Sequence, residues 1–153
     1  MSGADVILGI GDVVDEVAFT VEEGKIREFA RATATTDPIH TDAGAALAAG
    51  FAAQPATPTH VVVSGHHRDQ QAMVQRLGLA LERVLVGGVR WRYHRPLMAG
   101  DRLRGVRRLV GDEQVGGRPG RSPMRRLTLR TAFVDADGVT AVEWWETVME
   151  RGR

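Results

Sequence analysis

Residues 57–77, TPTHVVVSGHHRDQQAMVQRL, and the alternating run behind them decide the fold. Thr57 followed by Pro58 puts a capping hydroxyl just before a proline at the first helical position, so a long helix is predicted from Pro58 to Leu77. Its apolar first half reads as buried and its polar second half as emerging into solvent, with Gly65 costing it a little stability. Four stretches follow: RVLVGGVRWRYHRP (83–96), DRLRGVRRLVG (101–111), MRRLTLRTAFVDADG (124–138) and VTAVEWWETVME (139–150). All four alternate with the period of a strand. Val89, Trp91 and Tyr93 share one face, Leu127, Leu129, Thr131 and Phe133 another, and residues 135–138 supply a hairpin turn. Residues 116–123 read as a loop.

Upstream, Val14 to Val21 alternate as a half-buried strand and lead into a helix whose first turn carries Glu22 and Glu23, the charge that a helix amino terminus favours. Ile26, Phe29, Ala30 and Thr33 fall on its inner face. The segment TATTDPIH (33–40) breaks the helical period, because a proline excludes its predecessor from the helical region. Asp42 then caps a short helix that Gly50 ends. Strand, helix, short helix, long helix and four strands make an α+β layout, with an antiparallel sheet and the helices on one face.

The chain has 153 residues, 43% of them hydrophobic and 25% charged, which is the make-up of one ordinary domain spanning 1–153, with residues 1–12 expected to be flexible. Without cysteine it has neither disulfides nor a thiolate nucleophile. No signal-peptide pattern opens it and no run approaches the ~20 apolar residues of a membrane helix, so the expected setting is cytoplasmic, with no membrane partner. Residues 1–50 carry nine acidic and three basic side chains, whereas residues 90–130 carry twelve arginines and three acids. A basic surface attracts the phosphates of coenzyme A, a pantetheine arm or an acidic carrier protein. Arginines alternating along strands also point into solvent as a matter of course, and that plainer reading is slightly favoured. No nucleic-acid-binding motif accompanies the charge, so nucleic acid is not an expected partner.

Residues 25–51, KIREFARATATTDPIHTDAGAALAAGF, resemble the entry motif of the MaoC-like hydratases and dehydratases, F-A-x-A-T-G-D-x-N-P-I-H followed by an acidic residue and alanines. Downstream, YHRPLMAGDRL (93–103) is similar to that family's strand motif, in which an aromatic, a proline and a Gly-Asp pair open a long strand. The resemblance spans roughly Val21 to Met149 and is closest to the amino-terminal, non-catalytic A-subunit type of (3R)-hydroxyacyl-carrier-protein dehydratase. It implies a hot-dog fold, a curved antiparallel sheet wrapped around a long central helix, with pairs of units joining their sheets. It further implies reversible hydration of a trans-2-enoyl thioester on coenzyme A or a carrier protein, without a cofactor.

That chemistry needs a group of near-neutral pKa to move a proton, a carboxylate to hold water and backbone donors for the enolate oxygen. The motif places the family's histidine at His40, its asparagine at Asp37 and its catalytic aspartate at Thr35. In catalytic relatives a His-Gly pair opens the central helix; Thr57 and Pro58 stand there, and proline has no amide hydrogen to donate. Thr59 and His60 complete the expected substrate-binding turn, with the Thr59 amide as the remaining donor. Residual catalysis would use His40 as acid/base, Asp37 to orient water and Thr35 as a hydroxyl contact. Both departures point to an accessory subunit that shapes an acyl channel, paired with itself or with a catalytic hot-dog chain. The alternatives are a non-catalytic binder of acyl thioesters or carrier protein, and a natural-product tailoring enzyme on the same scaffold.

Plainer roles stand beside these. His40 read by itself is a loop histidine satisfied by a carbonyl, and Asp37 is evenly divided between a turn cap and a pocket role. His60, His66 and His67 lack the four-residue spacing of a helical zinc pair, so no metal is expected. Trp91, Tyr93, Trp144 and Trp145 suit strand packing or a dimer surface, and Ser64 lacks a nucleophile elbow.

Overall fold

The computed structural model describes residues 7–152. Five strands form one antiparallel sheet in the order β1-β3-β4-β5-β2: β1 Val13–Thr20, β2 Val84–Tyr93, β3 Arg102–Val115, β4 Met124–Val134 and β5 Thr140–Glu150. Among the described residues, three α-helices, α1 Glu23–Ala32, α2 Ala43–Ala48 and α3 Gln70–Arg76, and three 3₁₀ segments accompany the sheet, as the α+β reading requires. No helix among the described residues is long and apolar enough to cross a membrane.

Alternation sorts the strands into two faces. On β4, Leu127, Leu129, Thr131 and Phe133 are fully buried beneath the helical layer. The opposite face carries the arginines, where Arg104 meets Glu16 at 2.5 Å and Arg130 pairs with Glu143. Part of the charge on the basic strands is therefore a paired outer face. Arg107 departs from this, being 2% exposed on the inner face. Glycine at 105 makes room there: a Cβ on it would lie 2.7 Å from the Phe133 ring, which packs edge-on against Phe19 with centroids 6.1 Å apart.

Helix α1 buries Ile26 and Ala30, and Phe29 meets the His60 ring edge-on, so the expected inner face holds for these three. Thr33 instead turns its hydroxyl back to the Phe29 carbonyl at 2.9 Å. Asp42 caps α2 by accepting from the Ala45 amide, and Gly50 follows with a positive φ of 91°. The 135–138 turn is closed by the Asp135 carboxylate, which accepts from the Asp137 and Val139 amides.

The expected long helix from Pro58 to Leu77 is broken into a 3₁₀ segment, His60–His67, and α3. Arg68 is extended at φ −115° and ψ 145°, and its guanidinium runs inward to Asp15 on β1. Asp69 restarts the helix by accepting from the Ala72 amide at 2.9 Å. Three valines followed by Ser-Gly propagate an α-helix poorly. A buried ion pair 53 residues away in sequence then outweighs the helical period. Thr57 is not the cap either. Its carbonyl accepts the His60 amide at 3.0 Å, while its buried hydroxyl has no partner among the described residues.

Residues 1–6 of the expected flexible start lie outside the described residues. Leu8 and Gly11, by contrast, donate to the carbonyls of Arg76 at 3.1 Å and Leu109 at 2.7 Å, so the end of that segment is tied across α3 and β3.

Candidate active site

The motif loop, the 54–60 turn and the 93–101 segment meet at one end of the sheet. Asp37 opens a 3₁₀ turn, Pro38–His40, as its cap: its Oδ1 accepts from the Ile39 amide at 3.1 Å. The next turn begins at Asp42, so His40 is held between two capped elements. Its Nδ1 lies 2.8 Å from the Pro55 carbonyl oxygen. A carbonyl only accepts, so Nδ1 carries the proton and Nε2 the lone pair. The buried Gln54 side chain donates to the His40 carbonyl and fixes the loop from the other side.

Segment 54–56 in turn pairs with 97–99. The Ala56 amide donates to the Leu97 carbonyl at 2.8 Å and the Ala99 amide to the Gln54 carbonyl at 2.8 Å. Beside this pairing lies a cavity of about 380 Å³, lined by Ala56, Thr57 and Pro58 on one wall and by residues 93–97 on the other. That second wall is locked by Arg95, which pairs with Asp101 at 2.7 Å and Asp135 at 2.9 Å, while Asp101 also accepts from the Met98 amide.

The structure thus puts His40 next to the turn that carries Thr57, Pro58, Thr59 and His60, and gives that turn a cavity. It does not show the expected catalytic contacts. The Asp37 carboxylate serves the turn, and the Thr35 hydroxyl lies 3.0 Å from that of Thr33. Pro58 offers no donor, and the Thr59 amide has no partner among the described residues. The sequence reading missed Gln54, the Pro55 carbonyl and the 93–97 wall. The 93–103 motif was the available signal for the wall, since its Gly-Asp pair builds the turn that positions it.

His60 lies 1% exposed against Phe29, with Nδ1 unpartnered among the described residues. Burial, helped by the Lys25 charge, pushes its pKa down to about 4, so it is neutral in the fold. The unfolded chain binds a proton there below pH ~6.5 and the folded one does not until about pH 4, so stability falls as pH drops through that window. We expect His60→Gln to recover about 2 kcal/mol of the difference between urea unfolding at pH 7 and at pH 4.5. An unchanged pH slope would contradict a buried neutral imidazole.

A sequence profile of the FAS1-like, dehydratase domain region matches residues 9–144. A UPF0336 protein of Saccharopolyspora erythraea is 36% identical over 136 residues, covering 88% of this chain and 83% of that protein. One from Clavibacter michiganensis is 33% identical over 135 residues, covering 88% and 87%. Among solved structures, a MaoC-like dehydratase superposes with a TM-score of 0.79 at 24% identity, over 93% of this chain and 42% of that one. The HadBC (3R-hydroxyacyl-ACP dehydratase) complex of Mycobacterium tuberculosis gives 0.73 at 22%, over 88% and 94%. These likenesses show the hot-dog fold of the MaoC-like dehydratases. With its profile match over most of its length and relatives above 30% identity along most of both chains, this protein belongs to the FAS1-like dehydratase domain family.

Proposed function

We propose that the chain is an accessory subunit of an (R)-specific enoyl-thioester hydratase, the same machinery that dehydrates 3-hydroxyacyl thioesters in reverse. It holds the acyl thioester of coenzyme A or a carrier protein in the cavity beside Thr57 and Pro58, and takes its chemistry from a catalytic hot-dog partner in the cytoplasm. The observation that carries this reading is that His40 is held by the Pro55 carbonyl, next to Ala56 of the cavity wall, while the motif carboxylate Asp37 is engaged by the Ile39 amide. A water-orienting carboxylate has to come from elsewhere. His40 still keeps a proton-accepting Nε2, which is what a weak residual acid/base role needs.

The open strand β2 supports pairing. It lies at the sheet edge, with Val86 66% and Val89 45% exposed, the kind of edge that pairs with another strand rather than staying bare. A second copy or a catalytic relative fits it equally.

The test is hydration of crotonyl-CoA and octenoyl-CoA by the chain alone and mixed with a hot-dog chain that retains an aspartate and a histidine five residues apart. We expect the mixture to exceed either chain by about 100-fold, and His40→Ala to slow it by less than about 10-fold, below the usual worth of a main acid/base. No hydration in either setting refutes the reading. A loss of about 1,000-fold in His40→Ala would make this chain the catalytic one.

A further inference from the structure

The five strands align one inner-face residue each into a single row: Asp15, Arg107, Thr131, Trp144 and Trp91. This row separates two apolar clusters, one around Phe133, Val142 and Leu103, the other around Leu109, Leu129 and Val148. At the β1 end it is an ion network, with Asp15 and Glu146 facing Arg107 and Arg68. Toward β2 it changes character. Thr131 Oγ1, Trp144 Nε1 and Trp91 Nε1 are shut off from solvent and have no partner among the described residues.

The helical layer adds unpaired groups toward β1. In a 3₁₀ segment residues three apart share a face. Val61 belongs to the apolar cluster and His67 stacks on Phe19, so Ser64 between them faces the sheet. Its fully buried hydroxyl is unpartnered, as are Nε and Nη2 of Arg68, whose side chain is 2% exposed. Leaving so many buried polar atoms unpaired is costly unless something pairs with them. Toward β2 the two indole nitrogens can only donate and the Thr131 hydroxyl can donate as well, so the missing counterpart there is an oxygen acceptor. Two guanidiniums are already balanced by two carboxylates, which favours a neutral acceptor over an anion.

The row lies one apolar cluster away from the cavity. Tyr93, which lines it, sits two residues from Trp91 on the same face of β2, about 7 Å along the strand. Ala56 and Leu97 of the lining belong to the apolar cluster that contains Trp144. We propose that the row is the far end of the acyl site and recognises a hydroxyl or keto oxygen carried down the chain, so that oxygenated acyl thioesters are preferred over plain alkyl ones. This rests on the acyl-thioester reading of the cavity.

Trp145 lies on the outer face beside Arg90, and it is the third of three tryptophans, so Trp145→Phe leaves Trp91 and Trp144 as the reporters. Its emission is to be titrated with hexanoyl-, octanoyl- and decanoyl-CoA and with their penultimate-carbon hydroxy and oxo counterparts. At one chain length the oxygenated thioester should bind about 10-fold tighter or better, because a site built to pair with oxygen rejects the analogue lacking it. Adding Ser64→Ala and Thr131→Val should reduce that preference to less than about threefold; Thr131→Val alone serves if the combination does not fold. Equal affinity at every length, the result for a row that holds bound water only, overturns this proposal and leaves the proposed function standing. Binding of no thioester at all overturns both.

Discussion

Asp15→Ala is expected to destabilise the protein by about 3–5 kcal/mol, the range for stripping one partner from a buried ion network. Asp15 accepts from Arg107 Nε at 3.1 Å, from Arg107 Nη2 and from Arg68 Nη1. Both arginine side chains are 2% exposed, so neither can recover solvation without moving. With Asp15 gone, Glu146 remains to Arg107 at 3.3 Å, and the two guanidiniums face each other across the core. Arg68 is already strained, since burial and then the Arg107 charge hold its pKa below the usual guanidinium value. Urea unfolding at pH 7 measures the effect. Glu16→Ala, on the same strand as Asp15, removes an exposed pair to Arg104 of β3 and should change stability by less than about 1 kcal/mol. A similarly small effect at Asp15 would mean that the network does not hold the broken helix against β1.

Restoring the two motif positions should create activity in the isolated chain. Thr35→Asp combined with Pro58→Gly returns a carboxylate to the loop before His40 and an amide donor to the turn that bears Thr57. A positioned acid/base contributes 10²–10⁴-fold and an oxyanion donor 10²–10³-fold, so a combined gain of about 100-fold in crotonyl-CoA hydration is a conservative expectation. His40→Ala in that background should remove the gain. A variant that folds, binds the thioester and still shows no turnover would place the obstacle in the His40 setting rather than in its missing partners.

The strands were readable because alternation dominates them, most cleanly on β4, where the inner residues Leu127, Leu129 and Phe133 are where alternation puts them. Helix α1 and the capped α2 were readable because their signals are local. The break at Arg68 was not, because within 57–77 the helical period runs on and the competing interaction comes from Asp15 on a distant strand. Strand β3 continues to Val115, beyond the expected 111, because its pairing with β4 carries on through Gln114 opposite Arg125. At the candidate site, motif spacing singled out His40 and the 57–60 turn. What pins the ring, the Pro55 carbonyl and Gln54, belongs to residues with no pattern of their own. Asp37 was evenly poised on paper, and a neighbouring amide in a tight turn decides where its carboxylate points.

The central claim is that an acyl thioester sits between the 56–58 turn and the 93–97 wall, within reach of His40. A crystal structure with a non-reactive enoyl-CoA analogue tests it most directly. The thioester oxygen is expected at the Thr59 amide, the acyl chain in the cavity and His40 Nε2 facing the reacting carbons. An analogue bound elsewhere on the protein, with this cavity filled by solvent, would contradict it.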